Sequence, residues 1–150
     1  MADHVATIAW RCDGGDFARG RYSRVHDWSF DGGAGIRASS SPHVVPLPFS
    51  DPAAVDPEEA LVAATSSCHM LFFLHVARDA GFAVTGYRDV ARGTMGEVEP
   101  GRMAVTRIVL KPEIEWADEA PDADTLARMH HQAHEMCFIA NSLRTEIVVE

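Results

Sequence analysis

A single helix with no polar face, starting at Asp56-Pro57-Glu58-Glu59 and stopping at Gly81, limits the possible folds of this chain more than any other feature. Asp56 suits the N-cap, Pro57 the first helical position, and Glu59 stands three residues after Asp56, where its carboxylate completes a capping box. Gly81 supplies the stop, because glycine takes the left-handed conformation that ends a helix. The segment Pro57 to Ala80 is therefore predicted to be one helix of 24 residues. At about 1.5 Å per residue it would run ~36 Å, twice the ordinary length. From Ala60 to Ala77 its side chains are apolar or small nearly all round, interrupted only by His69, His75 and the hydroxyls of Thr65, Ser66 and Ser67. Such a helix must be covered on every side.

The flanking segments read as short strands and turns. Val5 to Arg11 is expected to be a strand, Asp13 to Asp16 a turn, and Gly20 to Phe30 a second strand; a further turn follows at Asp31-Gly32-Gly33. His43 to Phe49 reads as a third extended piece, broken by Pro46 and Pro48 into an edge or an irregular connection. After the helix, Ala83 to Met95 and Arg102 to Trp116 read as strands joined at Glu99-Pro100-Gly101. Pro121 to Asp124 opens a second helix reaching about Glu135, and Thr145 to Val149 forms a last strand. No repeat or change in composition divides the chain, so a single domain over residues 1–150 is expected. The element order predicts an α+β fold with antiparallel sheets. One such sheet covers one side of the long helix, and a second copy of the chain, packed as a homodimer, is the simplest cover for the other.

Composition narrows the partners. With 13 basic and 22 acidic residues the net charge is −9, which opposes binding to nucleic acid or anionic membrane surfaces. Unbroken apolar runs such as Met70 to Leu74 are far short of the ~20 residues of a membrane span, and no leader-like segment opens the sequence. A cytoplasmic location is expected. Cys12, Cys68 and Cys137 are odd in number and widely spaced, which fits a reducing compartment and leaves the thiols free for chemistry.

Taken alone, Cys68 in mid-helix reads first as a small buried hydrophobe. Cys137 falls where a helical segment ends or restarts, and a helix N-terminus there favours a thiolate. The two lie 69 residues apart and can meet only through the tertiary fold. Two segments together are more specific. Asp56-Pro57-Glu58-Glu59-Ala60-Leu61-Val62-Ala63-Ala64-Thr65-Ser66-Ser67-Cys68, and Ala133-His134-Glu135-Met136-Cys137 followed by Ala140-Asn141-Ser142, resemble the signature segments of the OsmC/Ohr family, the osmotically inducible and organic hydroperoxide resistance proteins. His69, directly after Cys68, departs from the aromatic or aliphatic residue expected of the hydroperoxide-resistance branch, which points to the OsmC-like branch.

The resemblance implies a cysteine-based peroxidase for organic hydroperoxides, built as an intertwined homodimer with sheets wrapped around central helices. By position, Cys68 matches the peroxidatic cysteine, Cys137 the resolving cysteine, and Glu58 the glutamate that holds a catalytic arginine. Arg24 is the choice for that arginine, with Arg21 and Arg37 as rivals. The chemistry agrees: a thiol attacks an O–O bond as thiolate, a guanidinium favours that form, and a carboxylate orients the guanidinium. Oxidised Cys68 would condense with Cys137 to a disulfide, which a dithiol, by resemblance a lipoyl-bearing protein, would reduce. Glu58 and Cys68, ten residues apart on one helix, are separated by ~15 Å along its axis, so a second subunit is expected to supply the glutamate–arginine pair. Met70, Leu71, Phe72 and Phe73 are candidates for an apolar substrate pocket, with core packing as the plain alternative. No cofactor is expected. Two other functions stay open: a non-catalytic stress or binding protein of the same fold, and a metal site built from His131, His134 and Cys137 with Cys68-His69.

Overall fold

The computed structural model describes residues 1–150, whose backbone contacts divide into two units, Met1–Ala60 and Leu61–Glu150. The helix α1 (Pro57–Asp79) carries the chain from one to the other. Its start is as the sequence predicts: Glu59 N–H donates to Asp56 Oδ1 at 2.8 Å and Asp56 N–H donates to Glu59 Oε2 at 3.2 Å, a reciprocal capping box. It stops at Gly81, whose φ of +85° lets Phe82 N–H reach Ala77 O and Gly81 N–H reach Arg78 O.

The first unit is a three-stranded antiparallel sheet, β1 (Ala6–Ala9), β2 (His26–Phe30) and β3 (Gly35–Ala38), in that order. Register sets Ile8 opposite Trp28 and Trp28 opposite Ile36, one apolar row across the sheet. The second strand is shorter than the expected Gly20 to Phe30. Asp16 and Arg21 pair across a short 3-10 turn capped by Gly20, and only from His26 does the chain run along its neighbours. The third strand is also displaced. It lies at Gly35–Ala38, directly after the Asp31–Gly33 turn, while residues 43–49 form turns, since prolines at 46 and 48 leave too few N–H donors for a ladder.

The second unit holds β4 (Val84–Asp89), β5 (Arg92–Glu99), β6 (Arg102–Leu110), β7 (Pro112–Trp116), α2 (Ala123–Met136), the short α3 (Phe138–Ser142) and β8 (Glu146–Val149). Each of the two long strands expected from the sequence is broken in two, at Val90-Ala91 and at Lys111. The halves pair separately, β4 with β7 and β5 with β6. Asp89 fixes the corner by accepting from Lys111 N–H at 2.7 Å and from the Ser66 hydroxyl of α1. Sheets are antiparallel except that β8 joins β6 in parallel, after a return through α2 and α3. The class is α+β, as expected.

The core lies where α1 meets α2 and the β4–β7 pair. Phe73, Val76, Ala77, Met129 and Ala133 are buried, with Phe82, Tyr87, Ile114 and Trp116 packed on them. Gly93 of β5 lets the strand approach α1 closely, for a Cβ there would stand 2.6 Å from Val62 Cγ2. The candidate pocket residue Phe73 thus belongs to the core, while Leu71 is exposed. Over its most apolar 18 residues α1 is 28% buried within the chain. Counted over that window, rather than by unbroken runs, α1 has the length and apolarity of a membrane span, which corrects the estimate from the sequence. Its polar side chains, however, have protein partners: Ser66 on Asp89, and His69 on His130 of α2.

Candidate functional site

The fold brings Cys68 and Cys137 together. Cys68 sits midway along α1, half-buried, and Cys137 is the fully buried joint between α2 and α3. The residue is at once the last cap of α2 and the first of α3, with its Sγ accepting from Ala140 N–H at 3.4 Å. Both cysteines are free thiols. Burial pushes the Cys137 thiol up to about 11, and the neighbouring Cys68 thiol pushes the same way, against the Ala140 N–H. Cys137 therefore holds its proton at neutral pH. Cys12 is exposed, its thiol bonded locally to Gly14 O.

The arginine candidates lie in the first unit. Arg24 Nη1 donates to Gly20 O at 2.9 Å and to Tyr22 O, and its guanidinium lies 3.6 Å above the Tyr22 ring. That ring belongs to a cluster with Trp10 and Phe17. Arg37 is paired with Asp51 at 2.9 Å. Arg21 is exposed, and neither it nor Glu58 has an ion pair within the chain. Arg24 and Glu58 consequently do not meet as a pair in one copy.

Beside the cysteines stands a histidine pair, of which the sequence singled out His69, as a departure from the family pattern and a possible metal ligand, but not His130. His69 is 1% exposed, its Nε2 is 3.1 Å from His130 Nδ1, and the two rings are stacked at 5.3 Å. The His130 ring also stacks on Phe73 at 4.3 Å. Burial above all, then His130 and His134, holds the His69 imidazole down at about 4, with Asp89 opposing. Burial lowers His130 as well. For the pairing with His130 the sequence offered no signal beyond a histidine on an otherwise apolar helix. His130, His131 and His134 also edge a cavity of about 470 Å³ between α2 and β8. No three His, Cys, Asp or Glu side chains converge to hold a metal ion, and His131 instead faces Glu135 at 3.3 Å.

The buried His69 makes stability depend on pH. Its folded value, about 4, lies below the 6.5 of a free imidazole, so the unfolded chain takes up the proton first. This contribution is whole above pH 6.5, declines as pH falls toward 4, and changes no further below that. The loss amounts to on the order of 3 kcal/mol across the window. Urea unfolding at pH 7 and pH 4.5 should show the native protein losing more stability than His69→Gln; equal losses would mean that His69 is not buried as a neutral ring.

The family model for OsmC-like protein matches residues 50–150, which include both cysteines and the capping box of α1. The chain belongs to the OsmC-like family. It is 49% identical to an OsmC-like protein of unknown function from Vibrio cholerae, over 100% of this chain and 99% of that one, with a TM-score of 0.95. An organic hydroperoxide resistance protein from Elizabethkingia anophelis has the same fold at 16% identity and a TM-score of 0.73, covering 100% of this chain and 96% of that one. Another, from Legionella pneumophila, matches at 15% identity and a TM-score of 0.71, covering 100% and 98%. No curated protein matches the sequence. The OsmC-like fold adopted here is thus shared with proteins described as organic hydroperoxide resistance proteins.

Proposed function

We propose that this chain is a cysteine-based peroxidase that reduces organic hydroperoxides. The observation that carries the reading is that Cys68 and Cys137, 69 residues apart in sequence, are neighbours in the fold. In the first step the Cys68 thiolate attacks a peroxide oxygen; an S–O bond forms, the O–O bond breaks, and the departing alkoxide takes a proton to leave as the alcohol. In the second, Cys137 attacks the sulfenic sulfur; the S–S bond forms and the Cys137 proton leaves with the hydroxyl as water. The high proton affinity of Cys137 suits this order, because it keeps the second sulfur a thiol until Cys68 has been oxidised. A dithiol, for which a lipoyl-bearing protein is the proposed source, then reduces the disulfide by two exchanges and is itself oxidised.

The working form is proposed to be a homodimer in one cytoplasmic domain type. Two apolar surfaces left open in a single copy support it: the flank of α1 and the sheet row in which Ile8 is 58% and Ile36 37% exposed. Arg24 and Glu58 are proposed to serve Cys68 from the second copy, since ten residues of helix separate Glu58 from the cysteine of its own chain. Purified protein should consume cumene hydroperoxide when supplied with dihydrolipoamide, and should sediment as a dimer. Absence of consumption with any dithiol overturns the reading.

A further inference from the structure

We infer that the His69–His130 hydrogen bond is a positioning device for the cysteine pair, holding α1 and α2 in the register that sets Cys68 against Cys137. The inference rests on those two cysteines being the working pair. His69 follows Cys68 directly on α1, and His130 lies seven residues, two turns, before Cys137 along α2. The bond at 3.1 Å thus ties together the same pair of segments that sets the two sulfurs beside each other.

The proton inventory gives the bond a direction. His69 Nδ1 is buried without any partner. Two neutral imidazoles share one proton across the bond, so either His69 Nε2–H donates to His130 Nδ1 or the reverse holds. The reverse would place an N–H at the unpartnered His69 Nδ1, and a buried donor without a partner is the costlier orphan. His69 is therefore the donor, and His130 keeps its other N–H at Nε2, on the ring that borders the cavity beside α2. In this direction the bond needs His130 neutral at Nδ1, and burial holds that ring's proton affinity down. Burial first, then His130 and His134 on α2, oppose the charging of His69, with Asp89 on β4 alone favouring it.

A disulfide forms more readily when its thiols are held in place beforehand, so loosening this tie should make the Cys68–Cys137 bridge easier to reduce. His130→Phe keeps a ring on Phe73 but removes the acceptor; His130→Asn places Oδ1 where Nδ1 stood. Each protein is equilibrated with mixtures of reduced and oxidised dithiothreitol, and the bridge is quantified by alkylation and mass. His130→Phe should favour the disulfide about tenfold less than the native chain, a potential about 30 mV less negative, while His130→Asn should stay within about threefold of native. His69→Leu and His69→Gln repeat the contrast from the donor side and decide the matter where His130→Phe does not fold. Equal potentials in native and His130→Phe protein overturn the inference, as do equal losses in the Phe and Asn variants, which would make the ring's packing the cause. A native protein that forms no Cys68–Cys137 bridge also overturns it. One that forms the bridge but consumes no hydroperoxide removes only the peroxidase reading, because the potential is measured without peroxide.

Discussion

Replacing Cys68 by serine is expected to abolish hydroperoxide consumption, by at least about 10³-fold, since an alcohol at this position has neither the acidity nor the nucleophilicity to open an O–O bond. Cys137→Ser should behave differently. Its Cys68 is still attacked by peroxide, so a single turnover proceeds and the sulfenic acid, with no second sulfur to condense on, persists long enough to be trapped by a dione reagent. Steady turnover with dihydrolipoamide should then fall by about a hundredfold, and excess peroxide should drive Cys68 on to sulfinic acid, seen as a mass increase of two oxygens. Stopped-flow peroxide decay, followed by mass spectrometry of the cysteine peptides, separates the two variants. Equal loss of the first step in both would show that the division of labour between the sulfurs is wrong.

Phe73→Ala is expected to cost about 3 to 5 kcal/mol, the range for emptying a fully buried aromatic site. Phe73 has no exposed surface, and its ring is met from three elements: Tyr87 of β4 at 5.9 Å, Trp116 of β7 at 6.3 Å and His130 of α2 at 4.3 Å. A void there has stiff walls on three sides, so collapse can recover little of the lost contact. A melting temperature lower by about 10 °C is anticipated for a chain of this size. Leu71→Ala, on the exposed side of the same helix, is the comparison in a single copy. A Phe73→Ala loss below about 1.5 kcal/mol would mean that the core is not organised around this ring.

Much of the architecture could be read directly from residues close together in the chain. The capping box at Asp56 and Glu59, the Gly81 stop, the Asp122 cap of α2 and the turn at residues 31–33 all depend on neighbours within a few positions, and each stands where the local pattern placed it. The two signature segments likewise carried the family. What could not be read was pairing at a distance. Nothing local says that the strand pattern at 83–95 and at 102–116 breaks so that β4 takes β7 while β5 takes β6, because the break depends on Asp89 reaching both Lys111 N–H and Ser66. The short strand β3 escaped notice because Gly35-Ile36-Arg37-Ala38 has a single strongly strand-forming residue and draws its order from β2.

The site follows the same division. The resemblance of two segments to a family's signature marked Cys68 and Cys137 as the sulfurs to watch, and the residue pattern alone marked α1 as a helix that must be covered all round. That those sulfurs are neighbours, that Cys137 keeps its proton, and that His69 finds a stacked histidine from α2 are results of three-dimensional packing. Caps and periodicity act over one or two helical turns, so they are written in consecutive residues. A contact across some sixty or seventy positions exists only after the core around Phe73 has brought the two helices together.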